Sequence, residues 1–355
     1  MGVFGCLVCG LLQSISLEPF EDPRNKTLSC DADWGNVRHG KGARFSAFLP
    51  LLRELPWGEI NRVADIGANR GDFVLWLERE HPGKTIYALE PDGAVTGAYD
   101  TRFAITTLHQ RFEESELPEC DLIYKVHTLE HAASAKAMLL GCHKMLAPGG
   151  RLVLEVPNVA AISDPNNVEE FFIDKHRFHL GHEVLTRMVR ACGFDVVQDR
   201  SNFFNLTLLL RKIASEHTAI DTSGEPVYHR TLLAGYARTL EANRTKLRRL
   251  VAQKLGPLAE RQRVGYWGAG RIFSALCRYG GLLPNEVYCL VDSHLASIVK
   301  ETEGVEIQQP ERLKFLDPQV LVILARTSCE AMKQAARDLG IANVVTFAEL
   351  LEQVT

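Results

Sequence analysis

The chain has no long apolar run. Nowhere in its 355 residues does a stretch approach the roughly 20 apolar residues that a membrane-crossing helix requires. It has no basic excess either: 40 lysines and arginines stand against 44 acids, a formal net charge of −4. That balance excludes a nucleic-acid or acidic-membrane surface as the main partner and leaves a small-molecule substrate. The apolar first dozen residues carry no basic leader. Met1-Gly2 is followed at position 6 by Cys6, where myristoylation needs Ser or Thr. Nine cysteines are scattered through the chain, and Cys120, Cys142, Cys192, Cys277 and Cys289 sit in apolar runs. This usage predicts reduced, buried thiols in a cytoplasmic protein. With 46% hydrophobic and 24% charged residues, the chain reads as globular, and its length predicts two or three domains.

The informative stretch is Arg62-Val-Ala-Asp65-Ile-Gly67-Ala-Asn69-Arg-Gly71, followed by an amphipathic run to Glu80 and by Thr85-Ile-Tyr-Ala-Leu-Glu90. A strand, a glycine turn, a helix and a second strand ending on an acid make half of a doubly wound nucleotide-binding unit. A dinucleotide fingerprint needs G-x-G-x-x-G so that a pyrophosphate can approach the helix N-terminus. Here the glycines are further apart and an acid precedes the turn. Such a loop suits a ligand that carries an ammonium, a carboxylate and a ribose but no phosphate. S-adenosylmethionine is that ligand, with Glu90 placed to accept the ribose hydroxyls.

The remaining pattern predicts a helix over 43–57 and strands at 104–108, 121–126 and 151–156. A weak helix is read at 94–99, and another over 133–146 that stops at Pro148-Gly149-Gly150. Strands at 194–197 and 206–211 close the sheet as an antiparallel pair. Short connections between alternating strands and helices imply a mostly parallel α/β sheet, doubly wound and Rossmann-like. Gln110-Arg111-Phe112 ends the third strand, where it would flank an adenine. The glycine-rich stretch 31–42 reads as a lid or as a surface loop. A charged amphipathic helix fills 226–262. A second, smaller α/β unit then opens at Arg263-Val-Gly265-Tyr-Trp-Gly268-Ala269-Gly270. Phe273 stands where the third glycine of a dinucleotide fingerprint belongs, so the turn either cradles a phosphate or packs helix on strand.

At the N-terminus, Cys6-Leu-Val-Cys9-Gly10 has the form of a zinc knuckle. Four ligands are needed, and only Cys30 follows nearby. The pair reads as the second half of a ribbon whose first half would lie upstream of Met1, as a decayed zinc site, or as two buried thiols.

Asp65-Ile-Gly67-Ala-Asn-Arg-Gly71, Leu89-Glu90-Pro91, Leu129-Glu130-His131, Leu146-Ala-Pro148-Gly149-Gly150-Arg151-Leu and Glu155-Val-Pro157-Asn158 together resemble class I S-adenosylmethionine-dependent methyltransferases over residues 60–200. The whole layout is similar to three-part sugar C-methyltransferases, which have a zinc-binding N-terminal part, a methyltransferase core and a C-terminal Rossmann-like domain. That resemblance implies a remnant zinc-ribbon-like segment over 1–48 with Cys6 and Cys9 as metal ligands. It further implies a methyltransferase domain over 49–212, a helical linker over 213–262 and a C-terminal domain over 263–355. It implies Asp65, Gly67, Asn69, Gly71, Glu90, Pro91, Arg111, Phe112 and His127 as cofactor-binding residues. The substrate would be a nucleotide-linked sugar or glycan precursor. The family's Y-x-E-H substrate motif reads Ile173-Asp174-Lys175-His176 here, and only the histidine carries over. Alternatives are O- or N-methylation of another metabolite, or a nicotinamide oxidoreductase that uses the Gly268-x-Gly270 turn.

Methyl transfer needs a base for the acceptor, and histidine titrates in the right range without tuning. His127 and His131 follow the fourth strand, and His176 and His179 lie in the insertion after the fifth. All four are candidates, with His176 the preferred base and His131 read rather as a structural hydrogen-bond partner.

Overall fold

The computed structural model describes residues 2–15, 43–93, 95–164, 167–168, 171–172, 176–214, 225–293, 295–297, 299–325 and 329–354. They divide into two compact units. The first holds the N-terminal hairpin with 45–162 and 171–234, and the second holds 235–354 with the described residues of 29–44 and 163–170.

The first unit opens with β1 (Gly2–Gly5) and β2 (Leu12–Ile15), an antiparallel hairpin. Then come α1 (Ala43–Arg53), β3 (Arg62–Ile66), α2 (Asp72–Glu80), β4 (Thr85–Leu89), β5 (Ile105–Leu108) and β6 (Cys120–Val126). They are followed by α3 (Ala135–Met145), β7 (Leu146–Pro157), β8 (Phe178–His179), α4 (His182–Ala191), β9 (Phe194–Asp199) and β10 (Asn205–Lys212). Seven strands form one sheet in the order β5-β4-β3-β6-β7-β10-β9. Strands β3 to β7 run parallel, and β10 lies antiparallel to both of its neighbours. Strand order therefore reverses between β3 and β6. In such a sheet the ligand crevice lies outside the carboxyl ends of those strands.

The sheet is covered on both sides, which is why its strands read as nearly unbroken apolar runs. On one face Val63, Ile86, Leu122 and Tyr124 pack with Phe48, Leu51 and Leu52 of α1 and with Phe73, Trp76 and Leu77 of α2. On the other, Ala64, Ile123, Leu152 and Leu154 pack with Met138, Leu139 and Cys142 of α3 and with Val184, Leu185 and Val189 of α4. The doubly wound α/β expectation holds.

Strand β2 also pairs with β8 and makes a three-stranded sheet. Strands of two to four residues are too short to show a period of two. Two local expectations are corrected elsewhere in the unit. Residues 95–100 form turns and not a helix. Pro91, Gly93 and Gly97 break the run, and Tyr99 is fully buried. The helix before Pro148 ends at Met145, and Pro148-Gly149-Gly150 already belongs to β7, with Gly149 at φ 74°.

A long helix, α5 (Glu225–Leu250), precedes β11 (Val264–Trp267), β12 (Cys289–Val291), β13 (Glu301–Thr302), β14 (Val305–Gln308), β15 (Val320–Ile323) and β16 (Val344–Thr346). The second unit is thus a six-stranded sheet, β13-β14-β12-β11-β15-β16, parallel except for the edge strand β13. This is the smaller α/β domain expected from the second glycine turn.

Candidate active site

The turn after β3 is built from left-handed residues: Gly67 at φ 82°, Asn69 at 46° and Gly71 at 80°. Two of these positions tolerate nothing larger than glycine. A Cβ on Gly67 would stand 2.4 Å from Thr128 Oγ1, and one on Gly71 would stand 2.2 Å from the ring of Tyr99. Both neighbours also brace the turn. The Tyr99 hydroxyl donates to the Asn69 carbonyl (2.8 Å), and that of Thr128 donates to the Ile66 carbonyl (3.0 Å). Sequence reading missed Tyr99 and Thr128, because neither lies near the glycines in the chain.

Glu90 follows the end of β4, only 7% exposed. Its Oε2 accepts the Asn69 amide (2.9 Å) and its Oε1 the Asp92 amide (3.0 Å). Two fixed bonds orient the carboxylate and leave each oxygen a second lone pair. Burial pushes the Glu90 carboxyl up against the pull of those amides. Asp65, on β3, is 3% exposed. Burial pushes it well above the carboxylate range, and the charges of Glu90 and Asp72 push the same way. Two buried acids at adjacent parallel strand ends favour a cationic ligand. Asp65, Gly67, Asn69, Gly71 and Glu90 are thus brought together as the sequence predicts. They fit S-adenosylmethionine: Glu90 has acceptor capacity for ribose hydroxyls, and the ligand's ammonium would draw the proton from the buried Asp65 carboxyl and leave it as the counter-charge.

The other predicted cofactor residues disperse. Pro91 is exposed beside Glu90, and Arg111 is half-buried. Phe112 belongs to the core, 8% exposed, and a Cβ added to Gly141 would stand 2.8 Å from its ring. As a core side chain it is a poor flank for an adenine.

His127 follows β6 with φ 51°, a conformation few non-glycine residues adopt. Its amide donates to the Glu155 carbonyl (2.9 Å). Its ring bridges two buried acids, Nδ1 to Glu130 Oε1 (3.2 Å) and Nε2 to Glu155 Oε1 (3.1 Å). Glu155 in turn accepts the Thr207 hydroxyl of β10. Glu130 sits in the 3₁₀ turn Leu129–His131, 1% exposed. Burial alone would raise its carboxyl, but the His127 hydrogen bond and the charges of His131, His127 and His176 hold it at about 2.

His176 lies against His131, with ring centroids 4.8 Å apart and planes at 72°. His179 is different. It is 3% exposed on β8, its Nε2 meets Ser14 Oγ of β2 at 2.7 Å, and burial pushes it down to about 4. That ring is neutral at physiological pH and ties the hairpin to the insertion. Ile173, Asp174, Lys175, Cys30 and the 31–42 stretch lie outside the described residues.

Cys6 and Cys9 occupy the hairpin turn, where the Cys9 amide points at Cys6 Sγ (3.5 Å), the amide-to-sulfur arrangement of a knuckle. Hydrogen bonds from Cys9 and Val8 push the exposed Cys6 thiol down, and burial pushes Cys9 up. Two thiols do not complete a four-ligand site.

Among the described residues, no helix is long and apolar enough to cross a membrane. Residues 34–199 match the family model described as a methyltransferase domain. No curated protein matches the chain. Similar solved structures include an S-adenosylmethionine-dependent methyltransferase from Mesorhizobium loti, 15% identical, covering 47% of this chain and 98% of its own, with a TM-score of 0.40. A putative one from Listeria monocytogenes is 12% identical, covering 48% and 99%, with a TM-score of 0.41. Human N-acetylserotonin methyltransferase in complex with its methyl donor is 16% identical, covering 46% and 50%, with a TM-score of 0.36. On the family match the chain is an enzyme that carries a methyltransferase domain over residues 34–199, and the strand order and the glycine turn with Asp65 and Glu90 fit S-adenosylmethionine as its methyl donor.

Proposed function

We propose that this methyltransferase acts in the cytoplasm on a small nucleotide-linked sugar or glycan precursor, methylating it at a carbon or a hydroxyl. The observation that carries the cofactor half of this reading is Glu90, clamped by the amides of Asn69 and Asp92 where two parallel strands end. The cofactor supplies a methyl group on a sulfonium for in-line displacement. The chain must then align the acceptor and take its proton.

The acceptor side is assigned to the group formed by Glu130, His131 and His176, on loops at the carboxyl ends of β6 and β7. His127 is a positioning residue, because both ring nitrogens are engaged by Glu130 and Glu155. His179 leaves the catalytic set, since its ring is buried and bonded to Ser14. The sugar reading rests on the resemblance of the whole layout, and O- or N-methylation of another metabolite is the competing outcome.

The test is mass spectrometry of reactions with isotope-labelled S-adenosylmethionine and a panel of nucleotide-linked sugars, beside calorimetry with S-adenosylhomocysteine. Saturable S-adenosylhomocysteine binding with label transfer to a sugar carbon or hydroxyl is expected. Binding without transfer to any sugar would overturn the substrate assignment, and absent binding would overturn the cofactor site.

A further inference from the structure

Glu130 poses a problem that the methyl-transfer reading does not solve. Its carboxylate is 1% exposed, and while Oε1 accepts from His127, the buried Oε2 has no hydrogen-bond partner among the described residues. An unsatisfied oxygen on a buried acid costs free energy unless something else meets it.

Around this carboxylate is a donor set, with His131 Nε2 3.9 Å from Oε1. One ligand-capable atom each from Glu130, His131 and His176 lies within 4.8 Å of the others. They come from two segments that are tied together, the Arg177 amide donating to the Glu130 carbonyl at 2.8 Å. The acid is also held from behind. His127 Nδ1 bonds its Oε1, the other His127 nitrogen bonds Glu155, and Glu155 accepts the Thr207 hydroxyl. An outer layer that fixes the ligating carboxylate is a regular feature of metal centres.

We propose that Glu130, His131 and His176 bind a divalent transition-metal cation, with zinc as the first candidate. Two imidazoles and one carboxylate select this class over magnesium or calcium, which take oxygen donors. Three protein ligands leave coordination positions open, as in catalytic and not structural zinc sites. Glu130 follows β6 at the sheet end where Gly67 and Glu90 follow β3 and β4. An ion there holds an oxygen of the acceptor and lowers the pKa of its hydroxyl or of the carbon beside its ketone. This second role rests on the methyl-transfer reading; the ion site itself does not. It is distinct from the Cys6–Cys9 turn, which offers sulfur ligands.

The full-length chain, stripped with a chelator, is titrated with Co²⁺ and then with Zn²⁺ in competition. One Co²⁺ per chain is expected, with a visible d–d band, no thiolate-to-cobalt charge-transfer band, and displacement by Zn²⁺. His131→Ala, His176→Ala and Glu130→Gln should each weaken binding about tenfold or more. The double variant Cys6→Ser/Cys9→Ser should bind as the parent does. S-adenosylhomocysteine calorimetry on His131→Ala, whose ring is exposed, checks that the variant is folded. Absence of Co²⁺ binding, or binding abolished in the cysteine variant and retained in the histidine variants, would overturn the site. Co²⁺ binding in a stripped enzyme that transfers methyl at an undiminished rate would overturn the acceptor role. Loss of S-adenosylhomocysteine binding in the parent strikes the methyl-transfer reading and leaves the cobalt result standing.

Discussion

Two buried charged groups in this chain carry opposite meanings. Asp65 is nearly inaccessible, and burial holds its carboxyl well above the carboxylate range, with Glu90 and Asp72 adding to the effect. Between the unfolded value near 3.9 and that raised value, the folded chain keeps a proton that the unfolded chain has released. Stability contributed by this group is therefore full below the unfolded pKa and falls as pH rises through the window. Asp65→Asn should raise the melting temperature of the ligand-free enzyme at pH 7 and flatten its decline from acid to neutral pH. The same change should abolish measurable S-adenosylhomocysteine binding, whose ammonium loses its counter-charge. Lower stability at pH 7 with binding intact would mean that Asp65 is a structural acid. Lys125 on β6 is also fully buried, its Nζ against Met138 Sδ (2.6 Å) and 5.6 Å from the Phe112 ring centroid. Burial pushes its pKa down, with Cys142, Glu113 and Glu130 only partly opposing. With no carboxylate in hydrogen-bond contact among the described residues, this ammonium is a cost that an apolar side chain avoids. Replacement of buried ionic groups by apolar ones commonly gains about 1–4 kcal/mol. Lys125→Met should stabilise by an amount in that range in urea melts at pH 7, and a loss of stability would show that the lysine has a role the fold needs.

At the scale of elements, the turn between β3 and α2 is a three-way fit among glycine, tyrosine and backbone. Gly71→Ala combines a left-handed φ of 80° with a clash 2.2 Å from the Tyr99 ring. It should cost about 1–3 kcal/mol in stability, and S-adenosylhomocysteine affinity should fall with it. Tyr99→Phe keeps the ring and loses the bond to the Asn69 carbonyl. It should cost about 1 kcal/mol and weaken binding less than Gly71→Ala; equal effects would place the importance in the hydroxyl. The sequence revealed the glycines and Glu90 because a strand, a turn and an acid lie within one short stretch. It also revealed the seven strands of the large sheet, since the central ones, buried on both faces, are apolar nearly throughout. It could not reveal Tyr99 or Thr128, which reach the turn from distant segments. Nor could it place Phe112, whose aromatic ring serves a core as readily as a ligand, or distinguish His179 as a strap from His176 as a donor. Those roles depend on burial, and the two histidines stand three residues apart in one polar run. The second glycine turn shows the same limit. Gly268 has φ 120°, and the Asp292 carboxylate accepts the Ala269 amide at 3.1 Å, much as Glu90 accepts that of Asn69. Aligned on those glycines, however, Asp65 is matched by Tyr266, fully buried and with no partner for its hydroxyl among the described residues. The second turn thus copies the backbone device without the buried acid.

For the whole molecule, the consequential feature is that each unit carries its own pair of cores. Residues around Ile123 and Tyr124 build one pair on the two faces of the seven-stranded sheet. Residues around Tyr266 and Leu321 build the other on the six-stranded sheet. Among the described residues each cluster draws its buried side chains from one unit, which predicts a separate melting event for each sheet. Differential scanning calorimetry should resolve two transitions. A ligand that binds one folded unit stabilises it by RT ln(1 + [L]/Kd), about 2.7 kcal/mol at a hundredfold excess over Kd. S-adenosylhomocysteine should therefore raise only the transition of the unit that contains Asp65 and Glu90, and NADH should raise neither, because the second turn lacks the third glycine of a dinucleotide site. An NADH-dependent rise in the other transition would revive the oxidoreductase alternative for the Gly268 turn. A single transition moved as a whole by S-adenosylhomocysteine would show instead that the two units fold as one.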